Sequence, residues 1–193
     1  MKNLIFILFS LLLLSACVST DSAVKKLSQH PQSFQNNQSY LFTRSAVYSS
    51  PFKGRTFAIN DLAQYFYSSD KDGVYVKLTP NFSTEELSIE TLDRDKQVLK
   101  SRKFKLLSDT AENRKSQDTQ SKVFYFNSPN KITTNTRTCV FDLGQSCNFD
   151  SQKIFLDQNG HLAIVSQSKG FALIFLVPIA GKTTFVDVFH KVE

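Results

Sequence analysis

The chain has 193 residues, of which 41% are hydrophobic and 12% aromatic, and it carries a formal charge of +6 at pH 7. This length suffices for one domain with a full core, and 18 phenylalanines against only 6 glycines argue against a disordered chain. The positive charge alone would suit nucleic acid, but the N-terminal segment predicts export, so we expect no nucleic-acid partner.

The N-terminal residues have the layout of a secretory signal. Lys2 supplies a positive charge, an apolar run extends from Leu4 to Leu14, and two small residues precede Cys17. The run is shorter than the about 20 residues that a transmembrane helix needs. This segment resembles the lipobox of bacterial lipoproteins over residues 1–17. The resemblance implies that residues 1–16 are a signal peptide that is removed, and that Cys17 becomes the acylated N-terminus, carrying a diacylglycerol and a further acyl chain such as palmitate.

The resemblance also implies a location. In Gram-negative lipoproteins an aspartate after the acylated cysteine favours retention in the inner membrane, and here Val18 stands in that place. We therefore expect a lipid anchor in the outer membrane, with the domain on the periplasmic side rather than on the cell surface. Several acyl chains hold a protein stably, whereas one chain holds it marginally. The alternative is an ordinary cleaved signal in which Cys17 has no role.

Residues 17–39 are polar and rich in Ser, Gln and Asn. They predict a lipidated N-terminus followed by a flexible tether, which leaves residues 40–193 as the globular domain. A short helix around residues 22–28, with Val24 and Leu27 on one side, is the alternative for part of this segment.

From residue 40 onward, short apolar and aromatic stretches alternate with turn residues, a pattern typical of an all-β sandwich or barrel. We expect one antiparallel domain of roughly eight to eleven strands with one short helix at Asp61–Tyr67, capped by Asn60. The Asn159-Gly160 step predicts a tight hairpin. The predicted strands are Tyr40–Tyr48, Arg55–Ile59, Val74–Thr79, Leu87–Leu92, Gln97–Leu107, Lys122–Asn127, Thr138–Asp142, Lys153–Asp157, Leu162–Gln167, Phe171–Ile179 and Thr183–Val192.

The stretch from Phe171 to Val177 is continuously apolar. A strand that is apolar on both faces belongs at the centre of a core, or its outer face meets another element. Thr183 to Val192 then alternates, with Val186, Val188 and Val192 on one side and Phe185 and Phe189 on the other, so both of its faces are partly apolar. We interpret it as a central core strand. A ligand groove or a protein-contact face is the alternative.

Two cysteines remain when Cys17 is acylated, namely Cys139 and Cys147, an even pair in an exported protein. We expect them to form a disulfide across the short turn between them. A catalytic thiol at Cys147 is the alternative, but the residues before it, Gly144-Gln145-Ser146, do not match the Ser-His-Gly-Cys signature of L,D-transpeptidases.

The positive charge is concentrated in one region. Residues 94–122 hold nine Lys or Arg and four Asp or Glu, an excess of five that equals the net charge of the chain without residues 1–16. Arg102, Lys103 and Lys105, on a predicted strand, form the candidate binding surface together with the polar loop Ser108–Ser121. Lipid headgroups, an anionic envelope polymer or an acidic protein would fit such a surface. A solvated edge strand is the alternative.

No motif identifies a reaction. His30, His161 and His190 are far apart in sequence, no Cys or His spacing matches a zinc site, and the chain lacks a Gly-x-Ser-x-Gly motif. We therefore expect no metal, no cofactor and no catalytic residue, and we expect a non-enzymatic envelope lipoprotein that binds a protein or an envelope polymer. Two alternatives stay open. One is a carrier of an apolar or lipid ligand in a Phe-lined barrel cavity, and the other is an envelope enzyme with paired carboxylates or a Ser-His pair.

Overall fold

The computed structural model describes residues 21–50, 61–66, 73–115, 122–140, 145–174 and 177–193. Within these ranges ten strands form one sheet, accompanied by three short helices, so the prediction of an all-β domain is confirmed. The helices are α1 (Asp21–Leu27), α2 (Leu62–Phe66) and α3 (Ala111–Lys115). The strands are β1 (Tyr40–Thr43), β2 (Tyr48–Ser49), β3 (Tyr75–Asn81), β4 (Glu86–Leu92), β5 (Val98–Ser108), β6 (Phe124–Ser128), β7 (Lys131–Val140), β8 (Gln145–Leu156), β9 (Leu162–Ile174) and β10 (Val177–Phe189).

The strand order is β1-β3-β4-β5-β6-β7-β8-β9-β10-β2, and the sheet is mixed rather than purely antiparallel. β5 and β6 run parallel, while the other neighbours run antiparallel. A parallel pair needs a crossover connection, and α3 lies in the segment that makes it. The predicted loop Ser108–Ser121 therefore contains a helical turn, and its residues 116–121 lie outside the described ranges, as does the predicted strand Arg55–Ile59.

β1, at one end of the sheet, also bonds to the residues that follow β10 near the other end, which makes the domain barrel-like. The Thr43 N–H donates to the His190 carbonyl at 2.9 Å, and the Val192 N–H donates to the Leu41 carbonyl at 2.8 Å. These bonds join β1 to the residues directly after β10. We call this junction the seam. The predicted strand Tyr40–Tyr48 is divided between β1 and β2 at this point.

Apolar side chains fill the inside of the closed sheet. Four of the five side chains of α2 are buried there, and they pack with aliphatic and aromatic residues from nearly every strand. The Asp61 carboxylate accepts a hydrogen bond from the Ala63 N–H at 2.9 Å and so caps α2. The predicted helix is thus confirmed, while the predicted cap Asn60 lies outside the described residues.

Helix α1 covers part of the outer face of the sheet. Val24 and Leu27 pack against an apolar cluster from β8, β9 and β10, which explains why β10 is apolar on both faces. A few residues later Phe34 is only 1% exposed and belongs to the interior cluster. The helix proposed for residues 22–28 is therefore confirmed. The segment before residue 40 is not a flexible tether throughout its length, because the buried Phe34 side chain attaches it to the domain.

The apolar stretch from Phe171 to Val177 is not one strand. Ile174 pairs with Val177, and Phe171 pairs with Ala180, so the chain reverses direction between β9 and β10 within the stretch. The prediction of one continuous strand over Phe171–Ile179 is therefore wrong. An apolar run has the same composition whether it crosses a core or ends a hairpin, and periodicity alone does not separate the two.

Strands β7 to β10 continue beyond the part of the sheet that closes. In the described residues, β6 pairs with β7 only as far as Thr133, and β2 pairs with β10 only at Asp187 and Val188. The four long strands stay paired with one another past these points. We call these four strand ends the arm, and it comprises residues 134–140, 145–152, 166–174 and 177–185.

Candidate functional site

The structure does not bring the three basic residues of the predicted binding surface together. Arg102 shares a face of β5 with Phe104, and its guanidinium carbon lies 4.9 Å from the centre of that ring. Lys103 and Lys105 project from the opposite face because side chains alternate along a strand. Lys103 also pairs with Glu86 at 2.9 Å. Strand geometry therefore divides the predicted surface.

A different basic groove, with a volume of about 460 Å³, lies on the outer face of the arm. Arg137 of β7, Phe149 of β8 and Lys169 of β9 line it, and Arg114 of α3 contributes from the side. Phe149 and Phe155 lie an even number of positions apart on β8, so their side chains project from the same face of the sheet. Phe155 belongs to the cluster under α1, and this face is therefore the outer one.

Three of the groove residues form a row across the arm together with a lysine of β10. Arg137 pairs with Phe149, Phe149 pairs with Lys169, and Lys169 pairs with Lys182 of β10. The Arg137 guanidinium lies 5.2 Å from the centre of the Phe149 ring, and this ring is 45% exposed. Directly paired residues share a face, so one row holds three cations and one exposed aromatic ring. We call these four residues the cationic row.

The charge of the cationic row is not neutralised within the described part of the chain, where no carboxylate forms a salt bridge with Arg137, Lys169 or Lys182. Arg114, in contrast, pairs with Asp109 at 2.5 Å, and this hydrogen bond lowers the pKa of the Asp109 carboxyl group. Asp150 also lines the groove, but its single negative charge does not balance the positive charges of Arg137 and Lys169. The groove therefore keeps a positive excess.

The cysteines stand next to this row. Cys139 and Cys147 form a disulfide, as the sequence predicts, and they are direct cross-strand partners on β7 and β8. The Arg137 Nε–H donates to the sulfur of Cys139 at 3.3 Å. Since a register slip would move side chains to the other face, the crosslink fixes the pairing that holds Arg137 against Phe149. A cysteine in a disulfide has no thiolate, so Cys147 cannot act as a nucleophile in this form.

A second group of polar residues lies inside the barrel. The Asp187 side chain is buried and accepts hydrogen bonds from the Ser49 hydroxyl at 2.5 Å and from the Tyr65 hydroxyl. The Lys122 ammonium donates to the Tyr65 carbonyl at the end of α2 and to the Gln152 side chain. These bonds satisfy the end of α2 and link the helix to β8 and β10.

Lys122 is the most perturbed titratable group in this cluster. Burial, reinforced by the positive charge of Arg102, lowers its pKa to about 8. The ammonium lies 5.5 Å from the centre of the Phe124 ring and 6.0 Å from that of Phe66. A partly neutral lysine can serve as a nucleophile, but here its nitrogen contacts a helix carbonyl, a glutamine side chain and aromatic faces. This environment is that of a residue holding α2 in place.

The structure also brings together two of the three histidines. The rings of His161 and His190 lie 4.5 Å apart at the seam, and His161 Nδ1 accepts a hydrogen bond from the Lys191 N–H at 3.2 Å. No local pattern in the sequence indicates this contact, because the two residues are far apart along the chain. Among the described residues, no group of three or more His, Cys, Asp or Glu is placed to hold a metal ion.

Cys17, the predicted acylation site, lies outside the described residues. In the part of the chain that is described, no helix has the length and apolar character needed to span a bilayer.

Comparisons with known proteins give no relative for this chain. No protein-family model matches it, no curated protein matches it, and no solved structure matches its fold. The function is therefore inferred from the chain's own residues, above all from the cationic row.

Proposed function

We propose that this protein is a lipid-anchored lipoprotein of the cell envelope that binds an anionic envelope polymer and has no enzymatic activity. The lipobox resemblance at Cys17 supports the anchor and an outer-membrane location facing the periplasm. The cationic row supports the binding function, and it replaces Arg102, Lys103 and Lys105 as the candidate contact surface.

The spacing of the cationic row suits a ligand with repeated anionic groups. Neighbouring strands lie about 4.8 Å apart, so the four residues of the row span roughly 14 Å. Arg137 can bind a phosphate or carboxylate group through two parallel hydrogen bonds, while the lysines act as point charges. The exposed Phe149 ring offers an apolar surface between the cations, against which the apolar face of a sugar ring can pack. A charged polysaccharide or a phosphorylated glycan combines these features.

The alternative of an apolar-ligand carrier is less well supported, because side chains occupy the inside of the barrel. The Phe66 and Phe124 rings lie 5.8 Å apart, and the Phe104 and Phe124 rings lie 5.4 Å apart. α2 packs among them. In contrast, the groove on the arm is open to solvent beside an exposed ring.

Binding of the full chain to dextran sulfate, with neutral dextran as the reference, tests the binding function. The variant with both Arg137→Glu and Lys169→Glu should bind dextran sulfate roughly tenfold to a hundredfold more weakly, since a hydrogen bond to a charged group contributes about 1.5–3 kcal/mol. The matched control carries Lys103→Glu and Lys105→Glu on β5 and should bind normally. Unchanged affinity in the first variant, or a loss confined to the control, would refute the proposed site.

The anchor has its own test. Cells that express the full chain and are fed an alkyne analogue of palmitate should label the protein, and the Cys17→Ser variant should remain unlabelled. Equal labelling of both proteins would contradict acylation at Cys17.

A further inference from the structure

The disulfide of the arm joins two strands that are also held together by their backbones. Cys139 on β7 and Cys147 on β8 are direct cross-strand partners, and the residue pairs on both sides of them continue the same antiparallel ladder. The hydrogen bonds of this ladder do not depend on the sulfurs. The two cysteines are 8 positions apart, and opening so short a loop restores little conformational entropy to the unfolded chain. The arm can therefore stay folded with the disulfide closed or open.

Both cysteines lie on the exposed outer face of the arm. Arg137, two positions before Cys139, projects from this face and is exposed, and so does Phe149, two positions after Cys147. The cysteines themselves are partly exposed. Exposed disulfides exchange with other thiols more readily than disulfides that are enclosed in a core. The bond is thus placed where a thiol of another molecule can reach it.

The two sulfurs have different surroundings. The Arg137 Nε–H donates to Sγ of Cys139 at 3.3 Å, whereas no hydrogen bond from a described residue reaches Sγ of Cys147. A neighbouring guanidinium stabilises a thiolate, and cysteines beside arginine or lysine titrate at about pH 3.5–7.5 rather than near pH 8.5. When the bond breaks, the negative charge is therefore more stable on Cys139 than on Cys147.

We propose that Cys139 and Cys147 form a thiol–disulfide exchange site, and that its reduction puts a thiolate against Arg137 and so weakens anion binding by the cationic row. The effect on anion binding rests on the proposed function, because it concerns the charge with which the row holds its polymer. The exchange itself depends only on the disulfide and its neighbours.

The exchange uses a dithiol as the reductant, either a small molecule such as dithiothreitol or a protein with two neighbouring cysteines. A thiolate of the dithiol attacks Sγ of Cys147, forms a mixed disulfide with it and releases Cys139 as a thiolate. The second thiol of the dithiol gives up its proton and displaces Cys147, which takes up a proton. The dithiol loses two electrons and becomes a disulfide, and the two cysteines gain these electrons.

The released thiolate changes the charge of the groove. In the disulfide form the sulfur beside Arg137 is neutral, so the guanidinium is available to an anionic ligand. In the reduced form a negative charge lies next to the same guanidinium and competes with the ligand for it. Oxidation therefore favours polymer binding, and reduction disfavours it.

Single-cysteine variants test the difference between the two sulfurs. In full chains that carry Cys17→Ala, so that no third thiol is present, Cys147→Ser leaves Cys139 alone and Cys139→Ser leaves Cys147 alone. The rate of alkylation by iodoacetamide, followed by mass spectrometry across a range of pH, gives the pH at which half of each cysteine is a thiolate. This pH should be lower for Cys139 by about one unit or more, which is about a tenfold difference in the ratio of thiolate to thiol. Arg137→Gln should remove the difference, and the control Lys105→Gln on β5 should keep it.

Reduction of the Cys17→Ala chain tests the rest of the proposal. Dithiothreitol should open the disulfide without urea and leave the far-ultraviolet circular dichroism unchanged. The reduced chain should bind dextran sulfate about fivefold more weakly at pH 8 than the oxidised chain, since it loses one charged contact. A chain with both Cys139→Ser and Cys147→Ser is the control, and dithiothreitol should not change its binding.

Three results would overturn the proposal. They are a disulfide that opens only in unfolded protein, equal midpoints for the two cysteines, and a difference in midpoint that survives Arg137→Gln. Equal binding of dextran sulfate by the oxidised and reduced chains would overturn the effect on the cationic row while the proposed function stands. An oxidised chain that does not bind dextran sulfate would instead refute the proposed function, and the alkylation midpoints would still decide the exchange site.

Discussion

The buried ammonium of Lys122 provides a stringent check of the interior. A lysine ordinarily titrates near pH 10.5, and burial in the barrel lowers the pKa of Lys122 to about 8. The folded state therefore disfavours the charged form by about 3 kcal/mol relative to the unfolded chain, at 1.36 kcal/mol for each pH unit. At pH 7 the amine is protonated in both states, so we expect Lys122 to destabilise the folded protein more there than at higher pH.

The sign follows from proton counting. Between pH 8 and pH 10.5 the unfolded chain holds a proton on Lys122 that the folded chain has released, so the free energy of unfolding rises with pH. Other residues titrate in this range too, so the comparison is made with Lys122→Met, which lacks the titrating group. The free energy of unfolding of the native chain minus that of Lys122→Met should increase by about 3 kcal/mol from pH 7 to pH 10.5, and by about half of that at pH 9.

Urea unfolding followed by far-ultraviolet circular dichroism measures both proteins at each pH, without relying on tyrosines that ionise at high pH. Lys153→Met, at an exposed position on β8, is the matched control for replacing a lysine by methionine. A difference between the native chain and Lys122→Met that stays constant across the range would refute the argument, because it would mean that Lys122 reaches water in the folded state.

Two further substitutions probe the cluster around Asp187 and the arm. Asp187→Ala leaves the hydroxyls of Ser49 and Tyr65 without their buried acceptor and should lower the free energy of unfolding by about 3 kcal/mol in urea titrations. Asp95→Ala in an exposed turn should change it little, and equal effects would argue against the buried contact. Replacing Cys139 and Cys147 by serine removes a short closed loop and should cost about 2–3 kcal/mol. A reducing agent should then affect only the native chain, and sensitivity of the serine variant would show that another feature responds to reduction.

Local signals in the sequence predicted local structure well. The Asn159-Gly160 step predicts a hairpin, and in the structure Gly160 has a φ of 78° while the Asp157 carboxylate accepts hydrogen bonds from the N–H groups of Asn159 and His161. The alternation of β3 and β4 and the helix α2 also follow from short stretches of sequence. Each of these features depends on residues a few positions apart.

The cationic row was missed because its members come from four strands. Two predicted features would nevertheless have indicated its pairings. Counting the same number of residues along both strands from the Asn159-Gly160 hairpin puts Phe149 opposite Lys169. Counting in the same way from the disulfide pair puts Arg137 opposite Phe149. Local charge density along the sequence points instead to Arg102, Lys103 and Lys105, without regard to the alternation of side chains that separates them. The contacts of Lys122 and Asp187 join segments around α2 that are distant in sequence, so no local pattern predicts them.

The seam has a consequence for the order in which the protein forms. It joins residues 41–43 to residues 190–192, about 150 positions later, so β1 can pair with β3 early while its other edge stays open until residues 190–192 are made. Domains dominated by such distant pairings fold slowly, and their unpaired strand edges stay exposed in the meantime. Nascent chains that end before residue 190 should therefore keep β1 sensitive to proteases, whereas chains that include residue 192 should become resistant. For a chain exported as proposed, this arrangement would keep the sheet open, and the chain easy to thread through the membrane, until the residues after β10 have crossed.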